Sequence, residues 1–512
     1  MGVHFVTLII AFLLLGIGDS VDEVVRLLHW AEANGANVSN IAVASDGRTL
    51  VAKHQYEVGN VMMAIPTQLI ITESVARKSL AYQKYIASMP NTWVCDCLST
   101  ILFVMFEKLE LNDGVPTLEE VDGRITTSGT AGAASFWKPY IDSLPPVEYN
   151  FNMPQIEWTR SSDAYKILET SKTMKVLMNM EDNRNSRTLE FARSRIFSHM
   201  LHLNSSLDLK TVESTFNWSM KIMSSRSWSQ VIDTIPSECN LVPVCDMLNH
   251  RDDDADGLKA LYIGSYNNLF GVGINAGRKI ESHQELIDSY DPYTVDGDQI
   301  ISKACAQEIF LTFGFISVSQ KSFSTDSIKS NRYPGSRDWC VMIGLSIPIV
   351  KSPNSVLHES RVRLLKSDVI NNAIKNRLDK DREDSESNNE ITWLIKFRSS
   401  DISIPSVLLQ MLRISVANEN TLDYMSSTNV TTFGMINYEN EVKVMNILKA
   451  FANELQYSDD STEENDIASL SYTNDSNIKE ALIIRIHERR LIESLFQYID
   501  ERTTSLDFFS GV

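Results

Sequence analysis

The sequence is short of basic residues. Its 512 residues carry 47 Lys and Arg against 66 Asp and Glu, a net charge of −19 at pH 7. Nucleic-acid phosphates are held by clustered Lys and Arg, so this balance argues against a nucleic-acid-binding surface. Cysteine is scarce too, with six, at 95, 97, 239, 245, 305 and 340. They form no metal-ligand repeat, and Cys95-x-Cys97 alone does not make a zinc site. A chain with this much core to bury does not need a disulfide framework, so the cysteines leave the redox compartment open. The apolar stretch Val6–Ile17 is too short to span a bilayer as a helix. It runs into Gly16-Ile17-Gly18, the small-x-small form of a signal-peptidase site, and a signal peptide over residues 1–18 is expected although the n-region lacks Lys and Arg. No internal repeat stands out, but three amphipathic helices in series near the C-terminus keep a helical-repeat scaffold as an alternative.

A hydrophobic fraction of 43% with 22% charged residues describes an ordinary globular protein. The length implies two or three domains. Acidic tracts at Asp252–Asp256, Lys380–Glu390 and Ser458–Asp466 read as solvated loops. Asn-x-Ser/Thr sequons at Asn37, Asn204, Asn217, Asn429 and Asn474 are what a chain rich in Asn, Ser and Thr produces by chance.

Periodicity predicts a first helix over Val24–Ala33, with Leu27, Leu28 and Trp30 on its apolar side. Short strands follow at Ile41–Ala44, Leu50–Ala52 and Val61–Ile65, with a turn at Asp46-Gly47. Trp93–Lys108 places Leu98, Leu102, Met105 and Phe106 on one helical stripe, and a second helical region runs from Tyr165 to about Met223. Strands return at Leu241–Asp246, Leu269–Ile274 and Glu285–Tyr290. Strands, helices, then strands again is an order in which two β segments meet in space around a helical insert. Beyond about residue 335 the pattern is helical throughout. Pro405–Ile414 has Pro where a first turn tolerates it, and Val442, Met445, Leu448, Phe451 and Leu455 keep helical spacing, as do Ile484, Leu491 and Leu495.

The stretch richest in chemistry is Leu241–His250, an apolar run that ends at Asp246 and then at Asn249-His250. Apolar backbone that stops at such polar residues is where a core opens onto a ligand; a core strand followed by a turn is the plainer alternative.

Seven segments, in order, resemble SET-domain methyltransferases of the Rubisco large-subunit methyltransferase type, which includes the actin-histidine methyltransferases. They are Asp46–Pro66, Ser135–Pro145, Phe216–Trp228, Leu241–His250, Glu285–Tyr290, Glu308–Phe315 and Pro405–Ile414. The resemblance implies an α+β fold: a split, β-rich SET domain over 19–325 with a helical insert at about 91–225, then an all-α lobe over 335–512 like the Rubisco-methyltransferase substrate-binding domain. It implies S-adenosylmethionine as methyl donor, a protein side chain as acceptor and no metal. The protein substrate would be held by the SET cleft and the helical lobe, with no membrane for the mature chain and a monomeric state.

By resemblance, Asp46 and Arg48 touch the cofactor through backbone and Arg226 faces its amino-acid end. Asn249 and His250 hold its polar groups and adenine, and Tyr290 stands at the methyl-transfer point as the catalytic residue. Trp228 and Phe313 line the acceptor pocket. An aromatic at 228, where the actin-histidine enzymes carry Asn, suits an alkyl amine better than an imidazole. Lysine is therefore the expected acceptor, with histidine as the alternative and a weakened SET-like binding module as another. The sequence departs from the family pattern in the gap from Tyr290 to Phe313, which is longer than the family's, and in three motifs. Gly47-Arg48-Thr49 replaces Gly-x-Gly, and a β-branched Thr limits close backbone approach. Cys305-Ala306 replaces Ser-Asn, and Phe313 replaces the second pocket Tyr. Family members are mostly nuclear, cytosolic or plastid, whereas the leader points to the secretory pathway or a plastid-like organelle.

Overall fold

The computed structural model describes residues 23–87, 97–112, 115–121, 124–130, 135–149, 151, 153, 161–232, 235–250, 258–266, 269–288, 293–296, 299–302, 305–316, 340–348, 364, 390–398, 406–427, 435, 437–457 and 461–510. The signal-peptide stretch, Cys95, the acidic tracts 252–256 and 380–389, Pro405, Asn429 and Tyr290 lie outside them. The chain divides into two units. The first comprises residues 1–153, 181–303 and 312–336, and the second 154–180, 304–311 and 337–512.

The first unit begins with a helix over residues 23–33. Val24, Leu27, Leu28 and Ala31 return every three to four residues to its buried side. Strands Ile41–Val43 and Leu50–Ala52 pair antiparallel about a turn whose Gly47 has φ +77°, a conformation open to Gly at no steric cost. Val61–Pro66 pairs with Leu269–Ala276, which pairs in turn with Leu258–Tyr266. A Cβ at Gly271 would lie 2.1 Å from the Ile65 carbonyl oxygen, so only glycine admits this close approach of strand to strand.

The segment 280–288 then knits distant parts together. Ile280 bridges Tyr56 and Glu285 bridges Val51, and Ile287–Asp288 lies parallel to Asn249–His250. The two β segments thus meet around inserted helices, as the element order predicts.

The helix expected at Trp93–Lys108 is described over Leu98–Lys108, and all residues from Leu98 to Glu107 are buried. It is a core helix rather than a striped surface one, because apolar residues occupy nearly all its faces. Inside it, Glu107 accepts from Asn112 Nδ2 at 2.7 Å and from the Ser135 hydroxyl. The helical region expected from Tyr165 breaks into Asp163–Thr170, Lys172–Phe191, Ser198–Leu203 and Leu209–Arg226, with a π-helical stretch Ala192–Phe197. The starts of the first and last are set by Ser162 and Asp208, whose side chains accept from the N–H groups of Tyr165 and Thr211.

Two expected strands are corrected. Leu241 ends the strand Ile235–Leu241 rather than beginning one. The backbone then turns through Val244 at φ +71° into a single 3-10 turn, Cys245–Met247. Pro243 has no N–H to give a ladder, which disfavours strand here. Of Glu285–Tyr290, Glu285 forms an isolated bridge and Ile287–Asp288 a two-residue strand, while residues 289–290 lie outside the described residues. Periodicity did not predict three further hairpins of this unit: Val115–Val121 with Arg124–Thr130, Ser227–Ile232 with Ile235–Leu241, and Tyr293–Asp296 with Gln299–Ser302.

The second unit is a helical lobe built from Asp163–Thr170, Ser406–Val416, Glu419–Ser427, Tyr438–Leu455, Glu463–Tyr472 and the 35-residue helix Ser476–Ser510. It is not helical throughout: Cys340–Pro348 pairs antiparallel with Glu390–Arg398. Ile391-Thr-Trp-Leu-Ile-Lys-Phe397 is a run of β-branched and aromatic residues, which favour a pleated surface. Deep in the lobe Arg413 forms a two-pronged ion pair with Glu441, each side chain 1% exposed, with both N···O distances 2.6 Å.

Cysteine chemistry differs from the expectation as well. Cys97 and Cys239 form a disulfide across 142 residues of sequence, with Cα atoms 5.1 Å apart. No described helix is long and apolar enough to cross a membrane.

Candidate active site

The turn Cys245–Met247 delivers Asp246 into a fully buried position. Two residues quoted for their motifs converge on it. Tyr140, from the proline-bracketed aromatic stretch, donates its hydroxyl to Asp246 Oδ2 at 2.7 Å. Arg226, the last residue of helix Leu209–Arg226, donates from Nη1 to the Asp246 carbonyl oxygen at 2.8 Å and lies 3.6 Å from Oδ2. Burial raises the Asp246 carboxyl above the usual range, and the Arg226 charge and the Tyr140 hydrogen bond offset this only in part. Tyr140 is pushed well above its ordinary value by burial and by the adjacent carboxylate. The second oxygen, Asp246 Oδ1, is buried without a hydrogen-bond partner.

Neighbouring Cys245 is a buried free thiol whose sulfur is 3.5 Å from that of Met63. Burial, then Asp246 and Asp288, hold it well above an ordinary thiol, so it is no nucleophile at neutral pH.

Asn249 follows on its short strand and donates Nδ2 to Glu285 Oε1 at 2.8 Å. A carboxylate can only accept, so this contact fixes the amide's orientation and leaves Oδ1 as an acceptor without a partner among the described residues. Arg226 likewise has Nη2 and Nε without partners among the described residues, and its side chain is 21% exposed. His250 stacks obliquely on Phe315 at 5.7 Å, and Phe315 in turn on Phe313 at 6.2 Å. Trp228 is half-buried, paired in register with Asn240.

The Asp46 turn is closed by its own side chain. Oδ1 accepts from the N–H groups of Arg48 and Thr49, both at 2.9 Å, and Oδ2 from the Thr49 hydroxyl. Burial pushes the Asp46 carboxyl up, but these three donors outweigh it and the net shift is downward. Thr49, a departure from Gly-x-Gly, therefore locks the turn, and the Arg48 N–H is already spent on Asp46. The Arg48 guanidinium lies 5.8 Å over the Tyr149 ring.

Arg226, Asn249, His250 and Phe313 are thus drawn together through Asp246, Glu285 and Phe315, while the Asp46 turn connects through Leu50–Ala52. Leu286 N–H donates to the Leu50 carbonyl at 2.9 Å, two residues beyond Gln284, whose carbonyl accepts from Ala52. Tyr290 lies outside the described residues. Sequence reasoning assigned no role to Tyr140, Asp246, Glu285 or Phe315. Asp246 and Tyr140 lie within quoted motifs, but their pairing across 106 residues has no local signature. Among the described residues no three His, Cys, Asp or Glu side chains are grouped to hold a metal ion.

No family model matches the sequence. The human SET domain-containing protein 4 is 22% identical over 313 residues, 58% of this chain, and the chain spans 59% of that protein's length. Among solved structures, the SET domain of LSMT bound to lysine and AdoHcy aligns over 95% of this chain and 92% of its own, with a TM-score of 0.63 at 16% identity. Rubisco LSMT bound to AdoMet aligns over 95% and 93%, with a TM-score of 0.60 at 17% identity. The fold of this chain, an α+β SET architecture with a helical C-terminal lobe, is that of the Rubisco large-subunit methyltransferases.

Proposed function

We propose that the protein transfers a methyl group from S-adenosylmethionine to a lysine side chain of a protein substrate. The observation that carries this reading is that Arg226 keeps donors and Asn249 an acceptor without partners among the described residues, on a fold whose solved relatives hold AdoMet, AdoHcy and lysine. The cofactor's amino-acid end bears a carboxylate and an ammonium, and these residues offer the complementary set. When bound, the cofactor supplies an electrophilic methyl group on a sulfonium.

The rest falls to the chain. Arg226 is anchored by Asp246 through Nη1 and keeps its remaining donors uncommitted among the described residues. Asn249 is held by Glu285 with its oxygen presented. The His250–Phe315–Phe313 row and Trp228 supply apolar walls that exclude water and orient the acceptor. A lysine must first lose its proton, which from a reference pKa near 10.4 costs roughly 4–5 kcal/mol at neutral pH. A dry wall beside a positive centre lowers that cost through desolvation and like-charge repulsion. Tyr290 is proposed to orient the amine, and Phe313 leaves room where a second hydroxyl would stand. The apolar leader would carry the chain into the secretory pathway.

A second reading has one observation in its favour. The Arg48 and Thr49 N–H groups are consumed by Asp46, which leaves less backbone for a cofactor and would suit a SET-like protein-binding module.

Calorimetric titration with S-adenosylmethionine separates the two. Micromolar binding that weakens ten-fold or more in Asn249→Ala, about 1.4 kcal/mol, is the expected result. Folded protein that gives neither heat nor a thermal shift sinks the enzyme reading and leaves the binding module.

A further inference from the structure

We propose that Asn474 and Asn204 carry N-linked oligosaccharides, and hence that this chain folds in the lumen of the secretory pathway. Two kinds of observation converge on it. The first is redox. Cys97 and Cys239 are joined, with Cys239 only 3% exposed, and Cys305 is disulfide-bonded as well. Among the described residues Cys245 alone is a free thiol, and it is buried. Reducing couples keep cytosolic thiols unpaired, so structural disulfides of this kind belong to an oxidising compartment. Each bond forms as two thiols lose two protons and two electrons, accepted by that compartment's disulfide-exchanging oxidant.

The second is how the fold treats each described sequon. Asn217 lies within helix Leu209–Arg226, half-buried between the core residues Phe216 and Trp218, and a helical backbone keeps Ser219, whose hydroxyl is bonded to the Thr215 carbonyl, from turning back to the Asn217 amide. Asn37 is tied by its backbone to Ala64 at the edge of the sheet, with hydrogen bonds of 2.8 and 3.1 Å. Asn204 and Asn474 differ. Asn204 ends helix Ser198–Leu203, and its Oδ1 accepts from the N–H and the hydroxyl of Ser206 at 3.1 and 2.7 Å. The sequon's own hydroxyl thus touches its amide carbonyl, and Nδ2 is left uncommitted.

Asn474 is exposed on the connection between helices Glu463–Tyr472 and Ser476–Ser510, its amide without a partner among the described residues. Asp475, not Asn474, caps the second helix, accepting from the N–H groups of Asn477 and Ile478 at 2.8 and 3.1 Å. Two residues upstream, Tyr472 is 86% exposed, the highest value among the exposed large hydrophobic residues. An aromatic ring standing in water beside a sequon gives the C–H face of a first sugar a surface to cover.

In the transfer, Asn Nδ2 bonds to the anomeric carbon of a lipid-diphosphate-linked oligosaccharide. The bond from that carbon to the diphosphate oxygen breaks, the electron pair leaves on the diphosphate, and one amide proton passes to solvent. The donor and the transferase belong to the compartment.

The test expresses the full chain, with its own leader and with Asn429→Gln throughout, in a eukaryotic secretory host. The protein is treated with a glycan-releasing amidase in heavy-oxygen water and mapped by mass spectrometry. Asn474→Gln and Asn204→Gln should each remove one mass step and the double variant should remove both, while Asn37→Gln and Asn217→Gln leave the pattern unchanged. Thermal unfolding of the variants checks that loss of a step is not loss of fold. A full chain that carries no glycan, or one whose glycan maps to Asn217 or Asn37, overturns the proposal. Cofactor titration reads the methyl-transfer function separately, so either conclusion can fail without the other.

Discussion

Asn249 pairs with Ile287 in a parallel ladder only two residues long and reaches back to the Glu285 carboxylate just before it, and the acceptor presented by Asn249 depends on that contact. Removing the carboxylate in Glu285→Ala frees the amide to rotate, so it presents donor or acceptor indiscriminately. Cofactor KM should rise several-fold with little change in kcat, because the loss is in binding rather than in the transfer step. Glu285→Gln keeps one oxygen able to accept from Asn249 and should recover much of the difference. A kcat loss that Gln does not rescue would count against the positioning role. At this scale the sequence was informative but incomplete. Arg226, Asn249 and His250 could be picked out because they sit at the ends of recognisable stretches, whereas Tyr140 and Glu285 matter through partners 106 and 36 residues away.

The long helix Ser476–Ser510 carries a buried acid, Glu488, beside a half-buried base, His487. Glu488 accepts from Tyr457 at 2.6 Å and from Gln307 at 3.2 Å. Burial pushes its carboxyl up to about 7, against the opposing hydrogen bonds of Ser171, Tyr457 and Gln307. His487 is driven down to about 3, by burial and then by Arg490. A carboxyl whose folded pKa is raised stabilises fully below its unfolded value, and that contribution is lost as pH climbs from about 4.5 to about 7. The total is about 3 kcal/mol for this shift. His487 works in the opposite sense, contributing above about 6.5 and losing its contribution as pH falls toward 3. Glu488→Gln removes the alkaline loss. Its melting temperature relative to wild type should therefore be more favourable at pH 8 than at pH 5, read by calorimetric unfolding at both. A difference independent of pH would show that Glu488 is already ionised in the fold.

For the molecule as a whole, the Cys97–Cys239 bond closes a loop of 142 residues and ties the start of the buried helix Leu98–Lys108 to the strand that runs into the site. Chain-entropy reasoning assigns a loop of this length up to about 5 kcal/mol. The double variant Cys97→Ala/Cys239→Ala should unfold at markedly lower denaturant than wild type under non-reducing conditions. Reductant should shift the wild type further than the variant, which has only the Cys305 bond left to lose, as followed by denaturant titration. An unchanged midpoint would mean that packing alone sets this connection.

Local pattern determined much of this protein by itself. The spacing of Val442, Met445, Leu448 and Leu455 specifies helix Tyr438–Leu455, and the alternation of β and helical segments specifies a split α+β architecture, because side-chain periodicity records which face each element must bury. Three things were decided only in three dimensions. Residues 154–180 and 304–311 belong with the C-terminal lobe, Ile287–Asp288 lies parallel to Asn249–His250, and Cys97 finds Cys239. Partners so far apart in sequence leave no local period, since what joins them is the packing of one core and the closure of long loops.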